Sequence, residues 1–226
     1  MRARTVISCS LAAGLAVSSP AYGFLFGNSV GLPTDAQLLI NGSTMLPLGD
    51  AGWYRAVTPT TADTNSELQN YLTGGTADLP YSFRSYFAFS LAGVGTVTSA
   101  SLSLASYNVT TTETFTLHGP GVDPAGLLAG TGGIPTTAGH AVWQALGSGT
   151  SYGSRNYVPG DSGSTVSIVL NEAFLADINT AIIQGAATFV VGGAVDSGLA
   201  PVAEPLSWVF AGPLLLLGSL RRRSLR

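Results

Sequence analysis

Short runs in which apolar and small polar residues alternate recur along the middle of the chain. A strand with one buried face repeats every two residues, and these runs have that period. In "SFRSYFAFSL" it puts Phe83, Phe87, Phe89 and Leu91 on one side. In "TVTSASLSLAS" it groups Ala100, Leu102 and Leu104, with serines and threonines opposite. "TFTLH" pairs Phe115 with Leu117, "STVSIVL" aligns Val166, Ile168 and Leu170, and "ATFVVGG" aligns Phe189 with Val191. "QLLIN" around Leu38 and "WYRAV" around Trp53 are weaker strand candidates. Gly, Pro, Asn and Asp clusters such as "LAGVGT", "GPGVDPAG", "GTGGIPTTAG" and "VPGDSGS" separate these runs and predict turns. "LGSGTSYGS" reads as a Ser/Gly loop.

The period changes once. In "NEAFLADINTAIIQG", Leu175, Ile178 and Ile182 share a helical stripe. Asn171 stands where an N-cap belongs, Glu172 lies in the first turn and Gly185 falls just past the end. The spacing predicts one helix there and at most a shorter helical turn elsewhere. Seven or more strands with a single helix predict an all-β fold, an antiparallel β-sandwich or jelly-roll-like domain. A parallel α/β fold would need a helix after most strands.

The two ends of the chain differ from this body. Residues 1–23 have a basic start, an apolar stretch from Val6 to Val17 and small residues suited to cleavage after Ala21 or Gly23. That order predicts a secretory signal peptide, too short in its apolar run for a spanning helix. Cys9, the single cysteine, falls inside the apolar run, so the mature chain would carry no thiol and no disulfide. The body then covers residues 24–201. Past it, "DSGLAPVAEP" reads as a linker into a C-terminal sorting or transmembrane segment, residues 202–226. From Leu206 to Leu220 this tail has 15 uncharged residues broken by Gly212 and Pro213. As a helix it would reach roughly 22 Å, short of the ~30 Å hydrocarbon core of a bilayer. The arginines that follow would hold that end on the cytoplasmic side, leaving the body outside the cytoplasm.

Charge narrows the function classes. Charged residues are 9% of the 226, and there is no lysine. The overall net charge of −3 hides an asymmetry. Between Phe24 and Glu204 only Arg55, Arg84 and Arg155 stand against all twelve acids, a net −9. Such a body cannot neutralise a row of phosphates, which excludes nucleic acid as the expected partner. Cation binding, or solubility through self-repulsion, fits it better.

Candidate chemistry is sparse. "GDSGS" at Gly160–Ser164 resembles the nucleophile loop of trypsin-like serine proteases, and "TTAGHAV" resembles the stretch that carries their histidine. His140 and Ser162 are only 22 residues apart, however, and Asp161 is the first aspartate after His140. In that family a half-barrel and the aspartate lie between the two. A turn capped by Asp161 and Ser162 is the plainer reading. His118 and His140 have no zinc-ligand spacing. Asp35, Asp50, Asp63, Asp78, Asp123, Asp161 and Asp196 occupy loop-like contexts that would suit a structural calcium ion, although solvated turn aspartates explain them too. No other cofactor is expected. Glu67, Glu113 and Glu172 give no spacing that marks a glycosidase pair. Among the aromatic residues, Tyr152 or Tyr157 in the Ser/Gly region is expected to be exposed, where a flat ring could stack on a sugar. Most of the others are expected in the core.

The order of a Glu-Pro motif, a short apolar span and an Arg cluster closely resembles the PEP-CTERM sorting signal of Gram-negative bacteria. Ala203, Glu204 and Pro205 match the "PEP" position, with alanine in place of the first proline. Ser207, Trp208, Phe210 and the leucines fit the span, and Arg221, Arg222 and Arg223 fit the basic end. The body resembles a type recurrent among such proteins through "GWY", "NYLTG", "RSYFAFSLAGVGTVTSASLSL", "ETFTLHG", "LGSGTSYGS", "VSIVLNEAFLADINTAI" and "FVVGGAV", which cover most of residues 50–195. The resemblance implies an exported β-sandwich, an exosortase-type processing enzyme as partner, and passage through the inner membrane to the cell surface or matrix. It also implies a link to exopolysaccharide and biofilm. On this basis the chain is expected to be a non-enzymatic surface protein that binds glycan or adheres. The alternatives are an extracellular polysaccharide-acting hydrolase and a plain membrane-tethered domain.

Overall fold

The computed structural model describes residues 24–28, 35–65, 70–75, 81–107 and 109–195; the expected signal peptide and sorting tail lie outside the described residues. The strands are β1 (Phe24–Asn28), β2 (Ala36–Ile40), β3 (Thr44–Leu46), β4 (Leu48–Thr58), β5 (Thr61–Asn65), β6 (Asn70–Gly74), β7 (Ser82–Ser90), β8 (Ala100–Ala105) and β9 (Glu113–Gly119). After them come helices α1 (Pro124–Ala129) and α2 (Thr137–Ala145), strands β10 (Thr150–Tyr157) and β11 (Thr165–Val169), helix α3 (Glu172–Ile183) and β12 (Thr188–Val195). Each strand pairing among the described residues is antiparallel, and the fold is all-β in character with two sheets.

The smaller sheet has the order β11-β8-β2-β3 and the larger runs β1-β6-β7-β12-β9-β10, with β4 and β5 added beside β7. Strand β7 is the hub. Phe83 pairs with Arg55 of β4 and with Gly74 of β6, so these two strands hold opposite edges of β7. The β2–β3 hairpin turns on Asn41 and Gly42, both at positive φ, as the twist of a tight hairpin requires.

One core lies between the sheets. The smaller sheet contributes Leu38, Ile40, Leu102, Leu104, Val166 and Ile168, and the larger contributes Phe87, Phe89, Phe115, Leu117 and Val191. The period of two selects these residues; Phe83, which it places on the same face, is buried outside this cluster and stands edge-on to Trp53 at 5.2 Å. Helix α3 closes the same core with Phe174 and Ile178, both fully buried, while Leu175 and Ile182 pack at its margin. Asn171 caps it as expected, accepting from the Phe174 N–H at 3.2 Å, and Gly185 follows at φ 72°.

The number of helices corrects the sequence reading. "GPGVDPAG" and "GTGGIPTTAG" carry not only turns but the starts of α1 and α2. Asp123 caps α1 through the Gly126 N–H, with Pro124 in its first turn, and Thr136 caps α2 through the Gly139 N–H. Both helices cover the outer face of the larger sheet, where Leu127, Trp143 and Leu146 meet Tyr54, Ala56, Ala62, Tyr86, Ala88 and Val190. This second layer explains why β7 is buried on both faces rather than alternating between core and solvent.

Candidate functional site

A cleft of about 320 Å³ opens where the β9–α1 connection, the start of β10, helix α3 and the start of β12 meet. Its lining is apolar over Pro120, Val122, Pro124, Ala181, Ala186 and Phe189. The polar side chains are Thr150, Tyr152, Asp177 and Thr188, so among the described residues the cleft holds one carboxylate and no cation. The Tyr152 hydroxyl donates to Asp177 Oδ2 at 2.8 Å.

Three constraints fix that pair. The Tyr152 ring stands edge-on to Phe174 at 5.3 Å and lies near-parallel to Phe189 at 6.2 Å. Its hydroxyl passes over Gly119, where a Cβ would overlap it, so the crossing needs glycine. The Asn171 amide that caps α3 also donates to Ser151 O at 2.9 Å, and Asn171 N–H donates to Tyr152 O at 2.8 Å, tying the helix to β10. Burial, with the Asp177 hydrogen bond next, raises the Tyr152 pKa well above that of a free phenol. The hydroxyl therefore stays a donor across the physiological range.

Neither Tyr152 nor Tyr157 is the exposed ring expected. They lie in β10 rather than in a loop, and are 3% and 1% exposed. A bulge between Ser151 and Gly153 shifts the register of β10 on β9, so Tyr152 and Tyr157 both face the core despite their opposite parity. Neither presents a flat face for stacking on a sugar. Asp177 was absent from the sequence candidates. It is exposed on α3 and meets Tyr152, 25 residues earlier, only through the docking of helix on strand.

The protease-like residues do not form a triad. Asp161 ends a single 3-10 turn and accepts from Val158 N–H at 3.0 Å and from Arg155 at 3.4 Å, the capping role expected of a turn aspartate. His140 lies in α2, stacked on Trp143 at 5.4 Å, and no hydrogen bond joins it to Ser162. Its Nε2 is buried without a hydrogen-bond partner among the described residues. Burial, and then the nearby Arg84 charge, lower its pKa. Arg84 itself lies 3.7 Å from the Trp143 ring centre and donates to Trp143 O and Gln144 O at the end of α2. His118 Nδ1–H donates to Gly149 O at 3.1 Å, a contact that belongs to the strand end.

Of the aspartates considered for calcium, Asp63 is buried and ion-paired with Arg55, and Asp123 caps α1. Among the described residues no three His, Cys, Asp or Glu side chains gather as a metal site. Asp78, Asp196 and Glu67, together with Ala203, Glu204, Pro205, Arg221, Arg222 and Arg223, lie outside the described residues. Half-buried Trp53 and Tyr81 flank Arg55, whose guanidinium lies 5.6 Å and 4.8 Å from their ring centres. Its charge there is already matched by Asp63.

Comparison of the chain with family models, curated proteins and solved structures finds no match. No helix among the described residues is long and apolar enough to cross a membrane.

Proposed function

We propose that the chain is an exported cell-surface or biofilm-matrix protein, delivered through an exosortase-type enzyme and acting by binding rather than catalysis. The carrying observation is the tail, in which Ala203-Glu204-Pro205, a 15-residue uncharged span and Arg221–Arg223 stand in the order of a sorting signal. The signal-like residues 1–23 support it from the other end, and the acidic, lysine-free body suits a protein that stays soluble outside the cell. The body is read as a jelly-roll-like sandwich that binds matrix glycan or adheres to cells.

Intact mass spectrometry of the protein from its native host tests the export reading. The expected mass lacks residues 1–23 and the segment after Pro205. A mature protein that keeps Leu206–Arg226 overturns processing and supports the plain membrane-tethered domain. The adhesive role fails separately if the purified body stays monodisperse and binds neither exopolysaccharide nor cells. Release of reducing ends from polysaccharide would instead favour the hydrolase alternative.

A further inference from the structure

We infer that the cleft at Tyr152 and Asp177 binds a primary ammonium group carried on an apolar stem, about the size of a lysine side chain. The inference does not rest on the export reading.

The donor and acceptor inventory of the cleft decides the ligand class. Its side chains offer a carboxylate, a phenol and two threonine hydroxyls, with no arginine, histidine or amide among them. The phenol donates its one proton to Asp177 Oδ2. That leaves Asp177 Oδ1 and the phenol oxygen lone pairs as the side-chain acceptors of the lining, besides the threonine hydroxyls. Among the side chains only Thr150 and Thr188 can donate, and each can equally accept. A ligand rich in acceptors, such as a carboxylate or phosphate, would meet repulsion from Asp177 and find few partners. A ligand with three donors and a positive charge matches it.

The walls set the remainder of the molecule. Pro120, Val122, Ala181, Ala186 and Phe189 are apolar and leave a pocket wide enough for a short aliphatic chain. The wider field has the same sign, because residues 24–201 carry eleven acids against three arginines. Arg84 and Arg55, two of those arginines, are engaged elsewhere by α2 and Asp63. The chain contains no lysine, so a second copy cannot supply such a side chain.

The test is calorimetric titration of the purified protein with n-pentylammonium chloride, beside 1-pentanol, sodium pentanoate, glucosamine and methyl β-glucoside. Saturable binding of pentylammonium with Kd on the order of 1 mM or tighter is expected, and at least about ten-fold weaker binding of pentanol and pentanoate. Asp177→Asn, an exposed and nearly isosteric change, is expected to weaken pentylammonium by about ten-fold or more with the thermal midpoint retained. Tyr152→Phe, which removes the group that aims the carboxylate, is expected to weaken it less. No saturable binding by the folded wild-type protein overturns the proposal, as does pentanol binding as tightly or an unchanged affinity in Asp177→Asn. Binding of glucosamine without pentylammonium overturns the apolar stem, and binding of methyl β-glucoside at the same site overturns the requirement for charge. Each of these outcomes is independent of the mass of the mature chain.

Discussion

His140 is a titratable group held in a place that favours its neutral form. Its ring stacks on Trp143, its Nε2 is buried without a partner among the described residues, and Arg84 stands near. Burial and that charge lower its pKa below the ordinary 6.5. The unfolded chain therefore takes up a proton near pH 6.5 while the folded chain still resists it. More protons on the unfolded state mean that stability falls as pH drops below about 6.5, until the folded ring also titrates. His140→Phe keeps the stacking and removes the titration. It is expected to leave the urea midpoint at pH 7.5 equal or higher and to shrink its fall between pH 7.5 and 5.5; an undiminished fall would show that another group carries it. At this scale the sequence was readable where a residue's role is local. The caps at Asn171 and Asp161 depend on neighbours three residues away. Tyr152 was misread because its role depends on a one-residue bulge, and a Ser/Gly setting gives no periodicity from which a bulged strand can be recognised.

Helix α2 shows the same division among the elements. Nine residues with a glycine and a histidine inside them are too few to hold a helix by propensity, so docking must stabilise it. Arg84 of β7 supplies much of that docking. It covers Trp143 and donates to two carbonyls at the helix end, where the helix dipole favours positive charge. Desolvation lowers its pKa, and the carbonyls and the ring offset that cost. Arg84→Met is expected to destabilise the fold by about 2–4 kcal/mol in chemical denaturation, since two charge-assisted hydrogen bonds go with the cation–π contact. Arg84→Lys should recover only part of this, because one ammonium cannot reproduce a planar fork lying on a ring. A loss below about 0.5 kcal/mol for Arg84→Met would refute the role. The pattern along β7 signals its inward face through Phe87 and Phe89, but it is silent about what covers Tyr86 and Ala88. Alternation reports one buried face; a second layer made from a short, polar-looking segment leaves no comparable period.

Across the whole molecule, two large buried faces were legible and their partners were not. Period-two runs select most of the sandwich core because the smaller sheet faces solvent on its other side, where Ser101, Ser103, Ser167 and Val169 lie. The order of strands in each sheet depends on contacts across long stretches of chain, which no local pattern records. Burying phenols in both clusters, Tyr71, Tyr152 and Tyr157 between the sheets and Tyr54 and Tyr86 under the helices, has a collective effect. Burial raises the pKa of Tyr54 to about 12, and those of Tyr71, Tyr86, Tyr152 and Tyr157 also move up. Unfolded tyrosines ionise near 10, so the folded state binds more protons above that pH and stability is lost as pH rises from about 10 towards 12. Most of the absorbance rise at 295 nm is expected to come late and steeply, together with loss of structure, because five tyrosines are buried while Tyr81 and Tyr107 are not; a gradual rise near pH 10 that accounts for most of the tyrosines in the folded protein would contradict the burial.

The placement of the three body arginines also sets how the protein meets proteases. An enzyme of trypsin specificity needs an extended lysine or arginine site. This body has no lysine, and Arg55, Arg84 and Arg155 all sit within paired strands of the larger sheet. While folded, residues 24–201 should pass through prolonged trypsin treatment uncut, whereas a protease that cleaves beside aromatic or aliphatic residues has many more sequences to sample. A ladder of tryptic fragments from the native body would mean that one of these strands opens readily. Survival would give the body a durability that comes from where its few cations lie, without a disulfide, and would suit the proposed export.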